Sequence, residues 1–166
     1  DNPPAPQAVP PGAGSRLAQT FRYLEDITGA ALHPNQQATF YHLGDEVYPV
    51  MLRALEQAKR YIFIEYFIID KGVLWDSFVE ILRHKAVQGV DVRVLYDDLG
   101  SISTYNSGDT WALQKQGIHF AAFNPLLFVR GTLNCRDHRK MMIIDGEVAF
   151  TGGINLADEY INQTVK

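Results

Sequence analysis

Apolar residues recur along this chain with two different periods, and the switches between them mark out its elements. Behind Ser15, a candidate cap, Leu17, Phe21 and Leu24 repeat at helical spacing and predict a short helix. A second helix is expected from about Asp45 to Arg60, with Val50, Leu52, Leu55 and Ala58 on its buried side. Pro49 would then fall in its first turn, where a missing N–H costs little. The period next changes. "YIFIEYF" (61–67) is dense in aromatic and β-branched residues and reads as a buried strand. "VLWDSFVEILRHKAVQ" (73–88) is amphipathic and is stopped by Gly89, and "VDVRVLYDD" (90–98) alternates as a second strand. Strand, helix and strand with a short glycine turn make a βαβ unit, which implies neighbouring parallel strands and a right-handed crossover. A polar loop, "GSISTYNSG" (100–108), leads to a further helix over 109–117 and a further strand over 118–123. The predicted fold class is α/β with a largely parallel sheet, and no internal repeat is visible.

The last apolar stretch is different in kind. Two apolar runs flank Asp145-Gly146, the signal of a two-residue hairpin. That register sets Ile144 opposite Glu147, Met142 opposite Ala149, Lys140 opposite Thr151 and His138 opposite Gly153. Opposed residues share a sheet face, as do residues two apart. His138, Lys140, Thr151, Gly153 and, if strand geometry lasts that far, Asn155 would then project to one side. A three-residue loop would break this parity.

Composition narrows the class without choosing a function. The chain has 166 residues, 46% hydrophobic and 20% charged, enough for one α/β domain with a core. Its formal net charge of −4, with Lys and Arg scattered, argues against a dedicated nucleic-acid binder. Cys135 is the only cysteine, so no internal disulfide is possible and a reducing compartment is the simpler reading. The run "YIFIEYFIID" is interrupted by Glu65 and is too short to span a bilayer, and no signal peptide is visible. This stretch is expected to be soluble. Residues 1–36 read as a flexible proline-rich linker and short helix, and 37–166 as the domain proper.

The predicted hairpin face carries one imidazole, one fixed positive charge, one amide and a patch without side chains. Such a set suits a phosphoryl group. Lysine and an Asn amide neutralise and orient non-bridging oxygens, and glycine admits close approach of backbone N–H groups. An imidazole nitrogen can attack phosphorus and split one displacement into two. Asp145 has the opposite parity, so a turn or supporting role fits it better than contact with substrate.

"HRKMMIID" fits His-x-Lys-x-x-x-x-Asp, and the chain here resembles the phospholipase D superfamily, with "GGIN" following at that family's offset. "IEYFIID", "GVDVRVLYDDLGS", "NCRDHRKMMIIDGEVAFTGGIN" and "LADEY", in that order over roughly residues 40–166, are similar to the bacterial cardiolipin synthases. The resemblance implies a phospholipase D-like α/β sandwich with a mixed, largely parallel central sheet. It implies that His138 becomes the phosphohistidine, that Lys140 and Asn155 hold the phosphate beside Gly153, and that Asp145 is the motif aspartate in a supporting role. The implied reaction is phosphatidyl transfer between two phosphatidylglycerol molecules at a membrane surface, giving cardiolipin and glycerol, with no metal or other cofactor. In that family two such motifs meet across a pseudo-two-fold axis, one histidine attacking and the other protonating the leaving alcohol. Only one is present here, since His33, His42, His84 and His119 lack a matching Lys and Asp. The carboxylate that usually orients the nucleophilic histidine is missing as well. The expectation is the amino-terminal part of a longer enzyme, cut inside its first catalytic domain, inactive alone, and completed by the second half of that chain or by a second copy. By the same resemblance, transmembrane helices would precede this stretch, with the catalytic part on the cytoplasmic side of the cell membrane.

Plainer readings stand beside these. An isolated His-x-Lys at a strand end is ordinarily a solvated edge. Gly152-Gly153 also reads simply as a bend that ends the strand. Glu65 in an apolar strand is either a satisfied core partner or a site residue, and with Thr151 it is a candidate for a supporting position around the site. Asp97 and Asp98 end a parallel strand, where loop capping is favoured over a metal pair. Cys135, three residues from His138, reads as incidental, and Trp75, Phe78 and Leu82 as core. The alternative activity is a phosphodiesterase of the same superfamily acting on nucleic acid as a dimer, against which the acidic balance counts.

Overall fold

The computed structural model describes residues 14–31, 37–104, 107–125 and 135–163. Residues 1–13, most of the expected linker, lie outside that set. The chain divides into two compact units, Asp1–Phe40 and Tyr41–Lys166. In the first, α1 runs Ser15–Thr28, so Ser15 is a helical residue and Gly14 stands at the cap. Gly29 closes the helix in the left-handed conformation (φ 66°), its N–H donating to the Glu25 carbonyl.

The second unit holds α2 (Gly44–Gln57), β1 (Tyr61–Tyr66), α3 (Val73–Val87), β2 (Asp91–Asp97), α4 (Ser107–Gln114), β3 (His119–Phe123), β4 (Lys140–Ile144) and β5 (Val148–Thr151). A 3₁₀ turn follows at Asp158–Ile161. The strands form one sheet in the order β3-β2-β1-β4-β5. β3, β2 and β1 are mutually parallel, as the βαβ reading requires, and β4 adds antiparallel to the other side of β1. The sheet is therefore mixed. Two helix expectations shift. α2 ends at Gln57 rather than Arg60, and because it begins at Gly44, Pro49 lies beyond the first turn. α4 runs two residues earlier than expected at its start and ends at Gln114.

Alternation along the strands splits the sheet into two unlike faces. Ile62, Ile64 and Tyr66 of β1, Val92, Val94 and Tyr96 of β2, Phe120 of β3, and Met142 and Ile144 of β4 are all buried. Against them pack Met51 and Leu55 of α2 and Leu74, Trp75, Phe78, Val79 and Leu82 of α3. Each such side chain contributes roughly 1.5–3 kcal/mol by leaving water, which is why these elements hold together. The other face carries Phe63, Glu65, Arg93, Leu95, Met141 and Ile143, which line an open groove of about 750 Å³.

The hairpin departs from its predicted register. Asp145 and Gly146 do adopt left-handed conformations (φ 56° and 72°), and Glu147 N–H donates to the Ile144 carbonyl at 3.0 Å. The ladder then resumes at Ile144–Val148, with Met142 opposite Phe150 and Met141 opposite Thr151. Glu147 is thus an extra residue on the returning side, in the manner of a bulge, and it reverses the parity of β5. Thr151 shares a face with Met141, not with Lys140, and Gly153 is not set opposite His138 by the ladder.

Candidate active site

The site lies where β1 ends and β4 begins. β4 pairs with β1 so that Lys140 stands opposite Tyr66 on the helix-covered face, and His138 belongs to the segment just before the strand. Both reach one aromatic ring. The His138 imidazole meets Phe67 edge-on, ring centroids 4.7 Å apart at 63°, and the Lys140 ammonium is 5.2 Å from the centre of the same ring. Lys140 Nζ also donates to the His138 carbonyl at 2.9 Å. Lys140 is only 6% exposed, and burial pushes its pKa below the usual lysine value, with the Asp137 charge pulling the other way. His138, by contrast, is exposed. A desolvated cation thus sits beside an accessible imidazole.

Asn155 joins them through the residues after Phe67. Its Oδ1 accepts from the Ile68 N–H at 3.2 Å and its Nδ2 donates to the Tyr160 hydroxyl at 2.9 Å. Ile69 and Leu156 form a short parallel bridge that fixes this approach. Tyr160 comes from the 3₁₀ turn, whose Asp158 accepts hydrogen bonds from Val73 and Leu74 N–H and so caps α3. At Gly44, the first residue of α2, a Cβ would overlap the Tyr160 carbonyl oxygen. Helix starts and site are thereby tied together. Phe67 and Tyr160 were invisible as site residues in the sequence, because no spacing signal links them to His138 or Asn155. Gly152 and Gly153 are exposed, and a Cβ at either would meet nothing within 4 Å.

The three remaining sequence candidates lie elsewhere. Asp145 is at the opposite end of β4 from Lys140. Its carboxylate accepts from the N–H groups of Lys59, Arg60 and Tyr61 at 2.8–2.9 Å, and Arg60 Nη2 donates to its carbonyl. Those backbone bonds, the Tyr61 one foremost, hold its carboxyl below the ordinary range. It is a structural clasp on the entry to β1. Glu65 and Thr151 belong to the opposite face from Lys140. Arg139, on that face too, pairs with Glu65 at 3.3 Å and with Asp137 at 3.0 Å. The neighbouring Asp137 carboxyl is the main cause that raises the Glu65 carboxyl to about 7, through hydrogen bonding first, with burial and charge repulsion adding to it. Asp97 does cap its loop as expected, accepting from Leu99 and Gly100 N–H, but it also receives the Asp137 N–H at 2.9 Å and the Arg136 guanidinium at 3.2 Å. Among the described residues, no group of three or more His, Cys, Asp or Glu side chains could hold a metal ion.

The fold recurs in solved structures. NucT from Helicobacter pylori superposes with a TM-score of 0.56 at 15% identity, covering 73% of this chain and 74% of that one. Nuc from Salmonella typhimurium, a phospholipase D family member, gives 0.52 at 18% identity, covering 70% and 68%. At such identities the likeness is one of fold, and the fold is that of phospholipase D. Residues 51–165 match the family described as cardiolipin synthase, PLD-like domain, and the chain belongs to that family. Cardiolipin synthase 1 of Bacillus cereus is 40% identical over 125 residues, 74% of this chain and 24% of that protein. The probable cardiolipin synthase YwiE of Bacillus subtilis is 38% identical over 161 residues, 95% of this chain and 32% of that protein. The chain therefore spans about a quarter to a third of the length of these relatives.

Proposed function

We propose that this chain carries one of the two histidine–lysine–asparagine sets of a phosphatidyltransferase that makes cardiolipin from phosphatidylglycerol at a membrane surface. The observation that supports it is convergence: an exposed imidazole and a buried ammonium share the Phe67 ring, and the Asn155 amide hangs from the next residue. His138 attacks the phosphorus of one phosphatidylglycerol, forming an N–P bond as the P–O bond to glycerol breaks. The departing alkoxide takes a proton from the second set, on the same longer chain or a second copy. The hydroxyl of another phosphatidylglycerol then displaces the imidazole, returning that proton and releasing cardiolipin. Lys140 and Asn155 balance charge on the non-bridging oxygens, and the ammonium acts strongly because it is shielded from water. Gly153, with open space where a side chain would be, lets the lipid phosphate approach the backbone.

The test is a product assay on the whole native protein with phosphatidylglycerol vesicles, read by mass spectrometry, which separates cardiolipin from phosphatidic acid. His138→Ala is expected to abolish transfer. Lys140→Ala should cost about 3 kcal/mol of transition-state stabilisation, near a hundredfold or more in turnover. Near-normal turnover by His138→Ala would overturn the nucleophile assignment.

A further inference from the structure

Asp97 sits at the end of β2, 1% exposed, and its carboxylate is shared between two segments far apart in sequence. Oδ1 accepts from Leu99 N–H at 3.0 Å and Gly100 N–H at 3.1 Å, closing the turn that leaves β2. Arg136 Nη1 reaches the same oxygen at 3.2 Å, and Oδ2 accepts from the Asp137 N–H at 2.9 Å. The turn it closes grips Phe67. Ser101 Oγ donates to the Phe67 carbonyl at 3.3 Å and accepts from Ile69 N–H at 3.1 Å, while a Cβ at Gly100 would overlap that same carbonyl oxygen. The other segment ends one residue later at His138. A single buried carboxylate therefore braces both the ring and the imidazole that lies against it.

We propose that Asp97 is a positioning residue for phosphatidyl transfer, setting the His138 ring against Phe67 by holding the 136–137 backbone and the 99–101 turn together. This rests on the nucleophile reading of His138 but makes a claim that can fail separately. An imidazole displaced by about 1 Å from its line of attack loses on the order of a hundredfold in rate without losing substrate affinity. A neutral amide at position 97 still accepts from the turn but turns an N–H₂ toward the Asp137 N–H, where two donors now oppose each other.

The experiment compares Asp97→Asn and Arg136→Gln, the latter removing the guanidinium that pairs with Asp97 and also donates to the Asn124 carbonyl. Nuclear Overhauser contacts between the His138 and Phe67 rings are recorded in the chain described above, together with the methyl spectrum of the core. Turnover and KM are measured in the whole native protein. Asp97→Asn is expected to abolish the ring–ring contact with the core methyl spectrum intact, and to lower kcat ten- to a hundredfold with KM within twofold. Arg136→Gln should move both readouts the same way by less, and it carries the test if Asp97→Asn does not fold. Retained ring contact and wild-type kcat in the folded variants would overturn the proposal. If His138→Ala keeps turnover, the nucleophile reading fails, while the ring contact still decides whether Asp97 positions the imidazole.

Discussion

Two acids outside the site differ in what pH does to them. Glu65 has its carboxyl raised to about 7, chiefly by the hydrogen bond with Asp137, so the folded chain binds a proton that the unfolded chain has released. Its contribution to stability is full below the ordinary glutamate pKa and is lost as pH rises through about 7. Thermal midpoints at pH 5 and pH 8 should therefore fall less in Glu65→Gln than in the unaltered chain. Asp145 has the reverse sign. Held ionised by three backbone N–H groups, it stabilises above the usual aspartate range and ceases to do so as pH falls through its lowered value. Asp145→Ala leaves those donors unmet and should cost about 2 kcal/mol in denaturant unfolding at neutral pH. Turnover per folded molecule should hardly change, which separates a clasp from a catalytic group. Gly153→Ala is the complement: with nothing within 4 Å of the added methyl, stability should stay within ~0.5 kcal/mol while turnover falls.

Among the elements, β1, α3 and β2 were legible from the sequence because local chemistry decides them. Aromatic and β-branched residues fill β1, an apolar stripe defines α3, and Gly89 separates it from β2, so periodicity and propensity agree. The hairpin was legible only as a hairpin. Its Asp-Gly turn has the left-handed pair that the sequence implies, but one extra residue, Glu147, decides which face β5 presents, and no local preference marks it. The pairing of β4 with β1 was not legible at all, since nothing in either run names its partner, and with it went the placing of Glu65 opposite Met141, on the sheet face away from Lys140. His138, Lys140 and Asn155 could still be named together, because the motif spells them out, and the structure gathers them around Phe67 and Ile68. The cap on α3 gives a prediction at this scale. Asp158→Ala frees the N–H groups of Val73 and Leu74 and should cost about 1 kcal/mol. It should also loosen the Tyr160 hydroxyl and with it Asn155, so transfer is expected to drop further than stability explains.

Taken whole, the chain places its chemistry at one end of a sheet whose interior is covered by α2 and α3 and whose other face is an open groove. No helix among the described residues is long and apolar enough to cross a membrane. One histidine–lysine–asparagine set cannot both attack phosphorus and protonate the first leaving group, so the 166-residue chain as a monomer is expected to show no turnover with phosphatidylglycerol, read by the same mass-spectrometric assay. Gly44 shows how far that chemistry depends on its frame. It bears no charge and no labile proton, yet any larger residue there drives the start of one helix into the peptide that carries the Asn155 anchor. A random screen for inactive variants should return this silent position alongside the histidine and the lysine, and would find it by its bulk alone.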